Sequence, residues 1–262
     1  MDPLQALFLG VVQGLTEFLP VSSSGHLVLL PALLGWSPPP LVFETTVHLG
    51  TLLALLAVFW REVGRLLVAW GKGIGRGRPL ETAESRLAWW ILLGTLPALV
   101  AGVLLEEHFE ILNTPHYAGI FFLVTAGLLL LAELLGRRRR PLEELTWLDS
   151  LLIGLAQAAA LLPGLSRSGA TISTGMWAHL KREAAARFSF LLSLPVVAGA
   201  GLLKLWKLGG EAQALPLLLG FTAAALCGFA TIRFLLAYVR RRPLYPFAAY
   251  CLVIGLLALL VP

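Results

Sequence analysis

The sequence predicts an all-α protein that crosses a membrane several times, and three observations support this fold class. Of the 262 residues, 58% are hydrophobic and 13% are charged, and the mean hydropathy is +0.82. Several apolar stretches reach the roughly 20 residues that a helix needs to cross a bilayer. The basic residues lie in short blocks between these stretches, which is typical of loops that orient membrane helices. The net charge of +5 is therefore not interpreted as a nucleic-acid surface, and no nucleic-acid partner is expected.

The apolar stretches predict six spans, and the positive charges between them predict their orientation. The segments 61–86, 137–148, 181–187 and 233–242 carry 17 of the 20 Lys and Arg residues and are expected to be cytoplasmic. The segments 106–116 and 204–212 are expected to lie outside, as are both chain termini. The predicted spans are residues 43–60, 87–105, 117–135, 184–203, 213–236 and 244–261.

This orientation alternates correctly only if two further segments enter the membrane and return to the same side. The segment 1–40 must begin and end outside, and the segment 149–180 must begin and end inside. Each has two apolar arms, too short to span, around a polar turn, PVSSSGH in the first and PGLSRSG in the second. Both are therefore predicted to be re-entrant hairpins. Non-helical backbone at membrane depth needs protein or water around it, and such turns are usually functional.

The two halves of the chain also resemble each other. A shift of 144 residues places Gln13 on Gln157 and the Ser-x-Ser-Gly of the first turn, residues 22–25, on that of the second, residues 166–169. Each half is interpreted as a hairpin followed by three spans, and an odd number of spans inverts the second copy relative to the first. We expect about ten helices in a single membrane domain, residues 1–262, with inverted repeats at 1–136 and 149–262.

Two ionisable residues lie inside the predicted hairpins, where a charge is costly. Glu17 follows Gln13 by four residues, so both face one side of a helix. Arg167 lies between Ser166 and Ser168, with Thr171 one turn further on. A guanidinium among hydroxyls at a helix start predicts an anion site, and phosphate is the anion favoured. A purely structural Glu17–Arg167 pair, or serines that only cap a helix, are the alternatives.

The first turn adds groups that could perform chemistry. His26 is a candidate general acid or base, and Ser23 and Ser24 are candidate nucleophiles beside it. A structural histidine is the alternative. Glu44 and His48, four residues apart at the outer end of the first span, are expected to meet water, and a position at the border of the site entrance is the alternative. Glu133, near the Arg137–Arg140 block, is expected to form an interfacial ion pair.

The motifs GVVQGLTEFLPVSSSGH and LLPGLSRSGATIS closely resemble those of the bacitracin-resistance type of undecaprenyl-diphosphate phosphatase. The resemblance extends over essentially the whole chain and includes FWREV and RFSFLLSLP. It implies hydrolysis of undecaprenyl diphosphate to undecaprenyl phosphate and inorganic phosphate. This reaction recycles the lipid carrier for cell-wall synthesis and lowers bacitracin susceptibility.

The resemblance also implies roles for individual residues. Ser23 would be the nucleophile or a phosphate ligand, His26 the acid/base and Arg167 the phosphate clamp. The resemblance and the spacing leave open whether Ser or His attacks the phosphate. Our hypothesis is that Ser23 attacks the terminal phosphorus and that His26, oriented by the catalytic Glu17, manages the proton. A divalent cation, Mg²⁺ or Ca²⁺, would be held partly by Gln13 and Glu17, although the amide of Gln13 supplies no formal charge. The remaining hydroxyls implied in phosphate binding are those of Ser22, Ser24, Ser166, Ser168 and Thr171.

Other function classes stay open at this point. Inverted repeats with paired hairpins are also a transporter architecture, so a lipid carrier flippase is the main alternative. An intramembrane serine protease would explain Ser and His but leaves Arg167 unexplained. The expected location is the bacterial inner membrane, with the polyprenyl diphosphate and membrane lipids as partners. The sequence leaves the oligomeric state open, with a homodimer as one candidate.

Overall fold

The computed structural model describes residues 1–207 and 214–261, without the side chains of residues 105–110 and 204–207, and this part of the chain is helical. Ten α-helices and one short 3-10 turn, Leu142–Glu144, account for its regular structure. The all-α class and the helix number are therefore confirmed. The helices are α1 (Pro3–Thr16), α2 (Ser23–Leu34), α3 (Leu41–Gly75), α4 (Ala83–Ile111), α5 (Pro115–Leu135), α6 (Trp147–Ala159), α7 (Arg167–Trp177), α8 (Arg182–Lys207), α9 (Ala214–Val239) and α10 (Tyr245–Ala258).

Five of these helices, α3, α4, α5, α8 and α9, are long and apolar enough to cross a bilayer. Only 17–44% of the residues in their most apolar windows are buried inside the protein, so most of their apolar side chains face outward. Such a surface fits a hydrocarbon environment and would be insoluble in water. The polytopic membrane fold is thus confirmed for the described residues, while part of the loop 204–212 lies outside them.

The sixth predicted span, residues 244–261, is wrong in length. The helix there, α10, has 14 residues and begins at Tyr245 with Pro246 in its first turn. At 1.5 Å per residue it is about 21 Å long, less than the hydrocarbon thickness. The apolar residues 259–261 continue past the last helical residue, Ala258, which is why the sequence alone overestimates the length of this helix.

The two polar segments each form a pair of short helices, as predicted for re-entrant hairpins. The arms have 14 and 12 residues in α1 and α2, and 13 and 11 residues in α6 and α7. Ser22 and Ser166 are the N-caps of α2 and α7, and each accepts a hydrogen bond from the amide of the glycine three residues later, Gly25 and Gly169. The two Ser-x-Ser-Gly segments therefore share a capping hydrogen bond. Their backbones differ, because Ser22 has a positive φ of 66° and Ser166 has a φ of −65°.

Close glycine contacts hold each hairpin against a long helix. A Cβ added to Gly10 of α1 would lie 2.5 Å from the carbonyl oxygen of Gly220 in α9. A Cβ added to Gly154 of α6 would collide in the same way with the backbone of Gly94 in α4. Gly10 and Gly154 are 144 positions apart, the shift that relates the two polar turns, and each packs against a glycine of a long helix, Gly220 in α9 and Gly94 in α4.

A buried carboxylate ties the end of α5 to α8 and α10. Glu133 is 3% exposed, and it accepts hydrogen bonds from Arg138, from Arg182 and from the backbone amide of Leu244. The predicted ion pair of Glu133 is confirmed. Glu133 is more deeply buried than the predicted interfacial pair implied, and it has two arginine partners instead of one.

Candidate functional site

The turns of the two hairpins meet, and an ion pair joins them. Nη2 of Arg167, the first residue of α7, donates to Oε1 of Glu17, the C-cap of α1, at 2.7 Å. Their side chains are 17% and 6% exposed. Ser168 adds a second link by donating to the carbonyl oxygen of Leu19 at 2.9 Å. Two segments about 150 residues apart in the chain therefore form one site.

The second oxygen of Glu17 collects donors from the first hairpin. Ser23 Oγ donates to Oε2 at 2.5 Å, and Gln13 Nε2 donates to the same oxygen at 2.8 Å. The predicted shared face of Gln13 and Glu17 is confirmed by this bond. Ser23 and Gln13 are buried, at 9% and 0% exposure. A carboxylate that accepts a serine hydroxyl at this distance is positioned to take its proton.

His48 also lies near this carboxylate, which agrees with the alternative position at the border of the site. Its Nε2 lies 3.8 Å from Glu17 Oε2, and its Nδ1 lies 2.7 Å from the carbonyl oxygen of Glu44. The expectation that Glu44 and His48 only meet water is therefore wrong for His48, whose side chain is 33% exposed. The i, i+4 spacing predicts that both residues lie on one face of α3. It does not predict that this face packs against α1, which brings His48 close to Glu17.

His26 has partners other than the carboxylate. Its Nδ1 lies 2.6 Å from the carbonyl oxygen of Ser22, and its Nε2 lies 2.7 Å from the hydroxyl of Tyr250 in α10. The hypothesis that Glu17 orients His26 is wrong, because both ring nitrogens are engaged elsewhere. Tyr250 was missed because it stands in an apolar stretch without any motif.

The hydroxyls of the second turn mainly hold the backbone in place. Ser166 caps α7 through Gly169, and its own amide donates to Thr125 Oγ1 at 3.0 Å. Thr171 lies 2.7 Å from the carbonyl oxygen of Arg167 and 2.6 Å from Ser189 Oγ. In the first turn, Ser22 Oγ and Ser24 Oγ are 3.3 Å apart. These bonds hold the backbone at Arg167 and Ser23 in place, and phosphate binding would require both residues to be positioned in this way.

Two polar atoms of the site have no hydrogen-bond partner among the described residues, although both are buried. They are Nη1 of Arg167, a donor, and Oε1 of Gln13, an acceptor. A buried polar group without a partner costs about 1–3 kcal/mol, so each indicates that a ligand atom belongs there. An anion would satisfy Arg167 Nη1, and a cation would satisfy Gln13 Oε1.

The oxygen donors near Gln13 fit a hard divalent cation held jointly with a phosphate. No cluster of three or more His, Cys, Asp or Glu side chains that could hold a metal ion occurs among the residues that the structure describes. Mg²⁺ typically needs only one or two carboxylates when substrate phosphates complete its coordination. Glu17 and the unpartnered Gln13 oxygen match that requirement.

Comparison with known proteins identifies relatives over the full length. A family model described as "Bacitracin resistance protein BacA" matches residues 6–257. A protein of Desulforudis audaxviator named "Undecaprenyl-diphosphatase" is 42% identical over 262 residues, which cover 100% of this chain and 98% of that protein. Proteins of the same name from Thermomicrobium roseum and Rubrobacter xylanophilus are each 46% identical. Those alignments cover 100% and 95% of this chain, and 98% and 94% of the relatives.

Proposed function

The chain belongs to the bacitracin resistance protein BacA family, and on that premise we propose that it hydrolyses undecaprenyl diphosphate. The products are undecaprenyl phosphate and inorganic phosphate, so the reaction regenerates the lipid carrier for cell-wall synthesis and confers bacitracin resistance. The observation that carries this proposal is Arg167, which is paired with Glu17 through Nη2 and has a buried, unpartnered Nη1. Such a guanidinium can bind a phosphoryl group without giving up its counter-charge.

Arg167 binds the terminal phosphate of the substrate. A planar guanidinium offers donors in a fixed fork, and a phosphoryl group carries charge on several oxygens that such donors can meet. Gly169 and Ser168 belong to the first turn of α7, so the positive end of that helix adds to the same field. The other hydroxyls keep the turns of the two hairpins in position or complete the phosphate contacts. They are those of Ser22 and Ser24 in the first hairpin and of Ser166, Ser168 and Thr171 in the second.

Ser23 is the nucleophile and Glu17 is its base. The Ser23 oxygen attacks the terminal phosphorus while its proton passes to Glu17 Oε2, the oxygen to which it already donates. The bond from phosphorus to the bridging oxygen breaks, and undecaprenyl phosphate leaves. Water then attacks the phosphoserine, the phosphorus–Ser23 bond breaks, and Glu17 returns the proton to Ser23. His26 takes the proton of that water, one helical turn from Ser23 on α2.

Gln13 and Glu17 would hold the divalent cation together with the diphosphate. The support is the unpartnered Gln13 oxygen beside the carboxylate. Bound there, Mg²⁺ or Ca²⁺ would neutralise phosphate charge as a Lewis acid. Because Gln13 is an amide, this protein contributes one formal negative charge to the cation.

The membrane supplies the environment for the lipid part of the substrate. The apolar outer faces of the long helices would contact the polyprenyl chain. The loop charges predict both termini outside the bacterial inner membrane, which requires α10 together with residues 259–261 to cross it. A homodimer remains a prediction, to be tested by the mass of the purified protein in detergent.

The decisive test is phosphate release by purified protein in detergent from a short-chain prenyl diphosphate. We expect turnover in the wild type and a loss of at least about a hundredfold in Arg167→Ala, with Arg167→Lys intermediate at best because a point charge lacks the fork. Arg233→Ala, which removes an arginine on α9, is the matched control and should retain turnover. Near-normal turnover in Arg167→Ala would overturn the assignment. Lipid translocation by the wild type in proteoliposomes without phosphate release would indicate a flippase instead.

A further inference from the structure

The two nitrogens of His26 have partners that fix which of them carries the proton. The carbonyl oxygen of Ser22 can only accept a hydrogen bond, so Nδ1, at 2.6 Å from it, must be the protonated nitrogen. In the neutral ring, Nε2 then has a free lone pair. The hydroxyl of Tyr250, at 2.7 Å, donates to this lone pair. The basic nitrogen of His26 is thus held by a residue from the opposite end of the chain.

Aromatic contacts fix the plane of the same ring. The rings of His26 and Tyr250 are stacked, with centroids 5.7 Å apart and an angle of 9° between their planes. Phe122 of α5 meets the imidazole edge-on at 5.2 Å and 90°. His26 is 4% exposed, so this packing leaves the ring little freedom to rotate. Tyr250 itself is 42% exposed.

A phenol at this position has a chemical property that the other common histidine partners lack. It can donate to Nε2 when the ring is neutral and accept from Nε2–H when the ring is charged, whereas a carboxylate or a carbonyl can only accept. A carboxylate would favour the charged ring. Because the only lone pair of Nε2 accepts from Tyr250, the proton of the attacking water reaches Nε2 through this hydroxyl. The phenol gives its own hydrogen to Nε2, takes a hydrogen from the water, and then accepts from Nε2–H.

We propose that Tyr250 holds His26 in the ring orientation that phosphoenzyme hydrolysis needs and passes the proton of the attacking water to its Nε2. This inference rests on the proposed function and adds a residue from α10, outside both serine-bearing motifs. The site then draws on three parts of the chain. Glu17, Ser23 and His26 come from the first hairpin, Arg167 comes from the second, and Tyr250 comes from the last helix.

The test compares variants that separate the hydroxyl from the ring. Tyr250→Phe keeps the stacking on His26 and removes the hydrogen bond, while Tyr250→Leu removes both. We expect Tyr250→Phe to lower kcat about ten- to hundredfold, the usual effect of losing such a supporting partner, with KM within roughly twofold of the wild type. Tyr117→Phe is the control, since Tyr117 is a tyrosine of similar exposure, 39%, whose ring packs on His116.

A spectroscopic readout keeps the inference separate from activity. The protein is labelled with ¹⁵N-histidine, and the His26 signals are identified as those that disappear in His26→Gln. Tyr250→Phe should then shift the Nε2 resonance of His26 and leave its Nδ1 resonance nearly unchanged. Unchanged kcat in Tyr250→Phe overturns the proposal, whatever the resonance does. A fall in kcat with an unmoved Nε2 resonance overturns it as well, because the effect then does not pass through His26. If no variant and no wild type releases phosphate, the proposed function has failed, while the resonance still reports the bond.

Discussion

The hydroxyl of Ser23 lies 2.5 Å from Oε2 of Glu17, so the proposed nucleophile and its proposed base lie within the same hairpin. Glu17 is the C-cap of α1 and Ser23 is the first residue of α2, so the turn between the two helices sets the distance. The nucleophile and its base therefore stay together even if the two hairpins separate.

Removing the Ser23 hydroxyl should abolish chemistry without unfolding the protein. We expect Ser23→Ala to lose at least about a thousandfold in kcat, the scale of losing an activated nucleophile. Ser193→Ala is the control, because Ser193 is equally a buried serine but donates only within its own helix, to the carbonyl oxygen of Phe190 at 2.8 Å. Phosphate release and thermal unfolding in detergent are the measurements. A ³²P-labelled phosphoenzyme trapped from the wild type but absent in Ser23→Ala would support the covalent step; equal labelling would contradict it.

The Glu17–Arg167 pair allows a structural lock to be separated from a functional site. Removing one partner leaves a buried charge and should cost about 3–5 kcal/mol, so Glu17→Leu and Arg167→Met should each lower the melting temperature. The double variant removes both charges and should regain much of that stability. We expect it to remain inactive. Recovery of both stability and turnover would establish that the pair is only a lock.

Glu133 should matter for stability more than for chemistry. Glu133→Gln leaves Arg138 and Arg182 without their buried counter-charge, and we expect a loss of about 3–5 kcal/mol. Glu183→Gln is the matched control, since its partner Arg240 is 60% exposed and such pairs contribute about 1 kcal/mol or less. Chemical or thermal unfolding in detergent measures the difference. Equal losses in the two variants would contradict the special role of the buried carboxylate.

The cation proposal predicts how Gln13 variants respond to metal. A chelator should reduce phosphate release by the wild type, and added Mg²⁺ should restore it. Gln13→Glu adds a carboxylate beside Glu17, so we expect half-maximal activity at lower Mg²⁺, while Gln13→Leu should need more. Mg²⁺ should also raise the melting temperature in the same order, which is a readout independent of turnover. Insensitivity of all three proteins to chelator would remove the cation from the mechanism.

The glycine crossing between α1 and α9 should tolerate no side chain. Gly10→Ala places a Cβ against the backbone of Gly220, so α1 must shift, and we expect a lower melting temperature and less monodisperse protein. Gly71→Ala is the control, because a Cβ at that position in α3 meets open space and alanine favours the helix by about 1 kcal/mol. A Gly10→Ala protein as stable as the wild type would show that the crossing is not tight.

The sequence predicts the charged residues of the site well and its aromatic residues poorly. Glu17 and Arg167 are detectable because charge at membrane depth is rare, and Ser22 and Ser166 because their spacing to a glycine marks a helix start. Tyr250 carries no such signal, since a tyrosine in an apolar stretch is ordinary there. His48 was assigned to water because its i, i+4 spacing to Glu44 describes one helix only, and its contact with Glu17 depends on how α3 packs. The length of α10 was overestimated for a related reason: hydropathy measures solvent preference and does not register where a helix begins or ends.

The pairing of Glu17 with a residue 150 positions later has a consequence for biosynthesis. At about 5–20 residues per second, the first hairpin is made roughly 8–30 seconds before Arg167 leaves the ribosome. Throughout that interval its carboxylate has no guanidinium partner, so the hairpin must keep Glu17 hydrated or protonated at the edge of the membrane. The first hairpin is therefore synthesised early but reaches its final structure late, because Glu17 gains its ion-pair partner only when the second hairpin has been inserted.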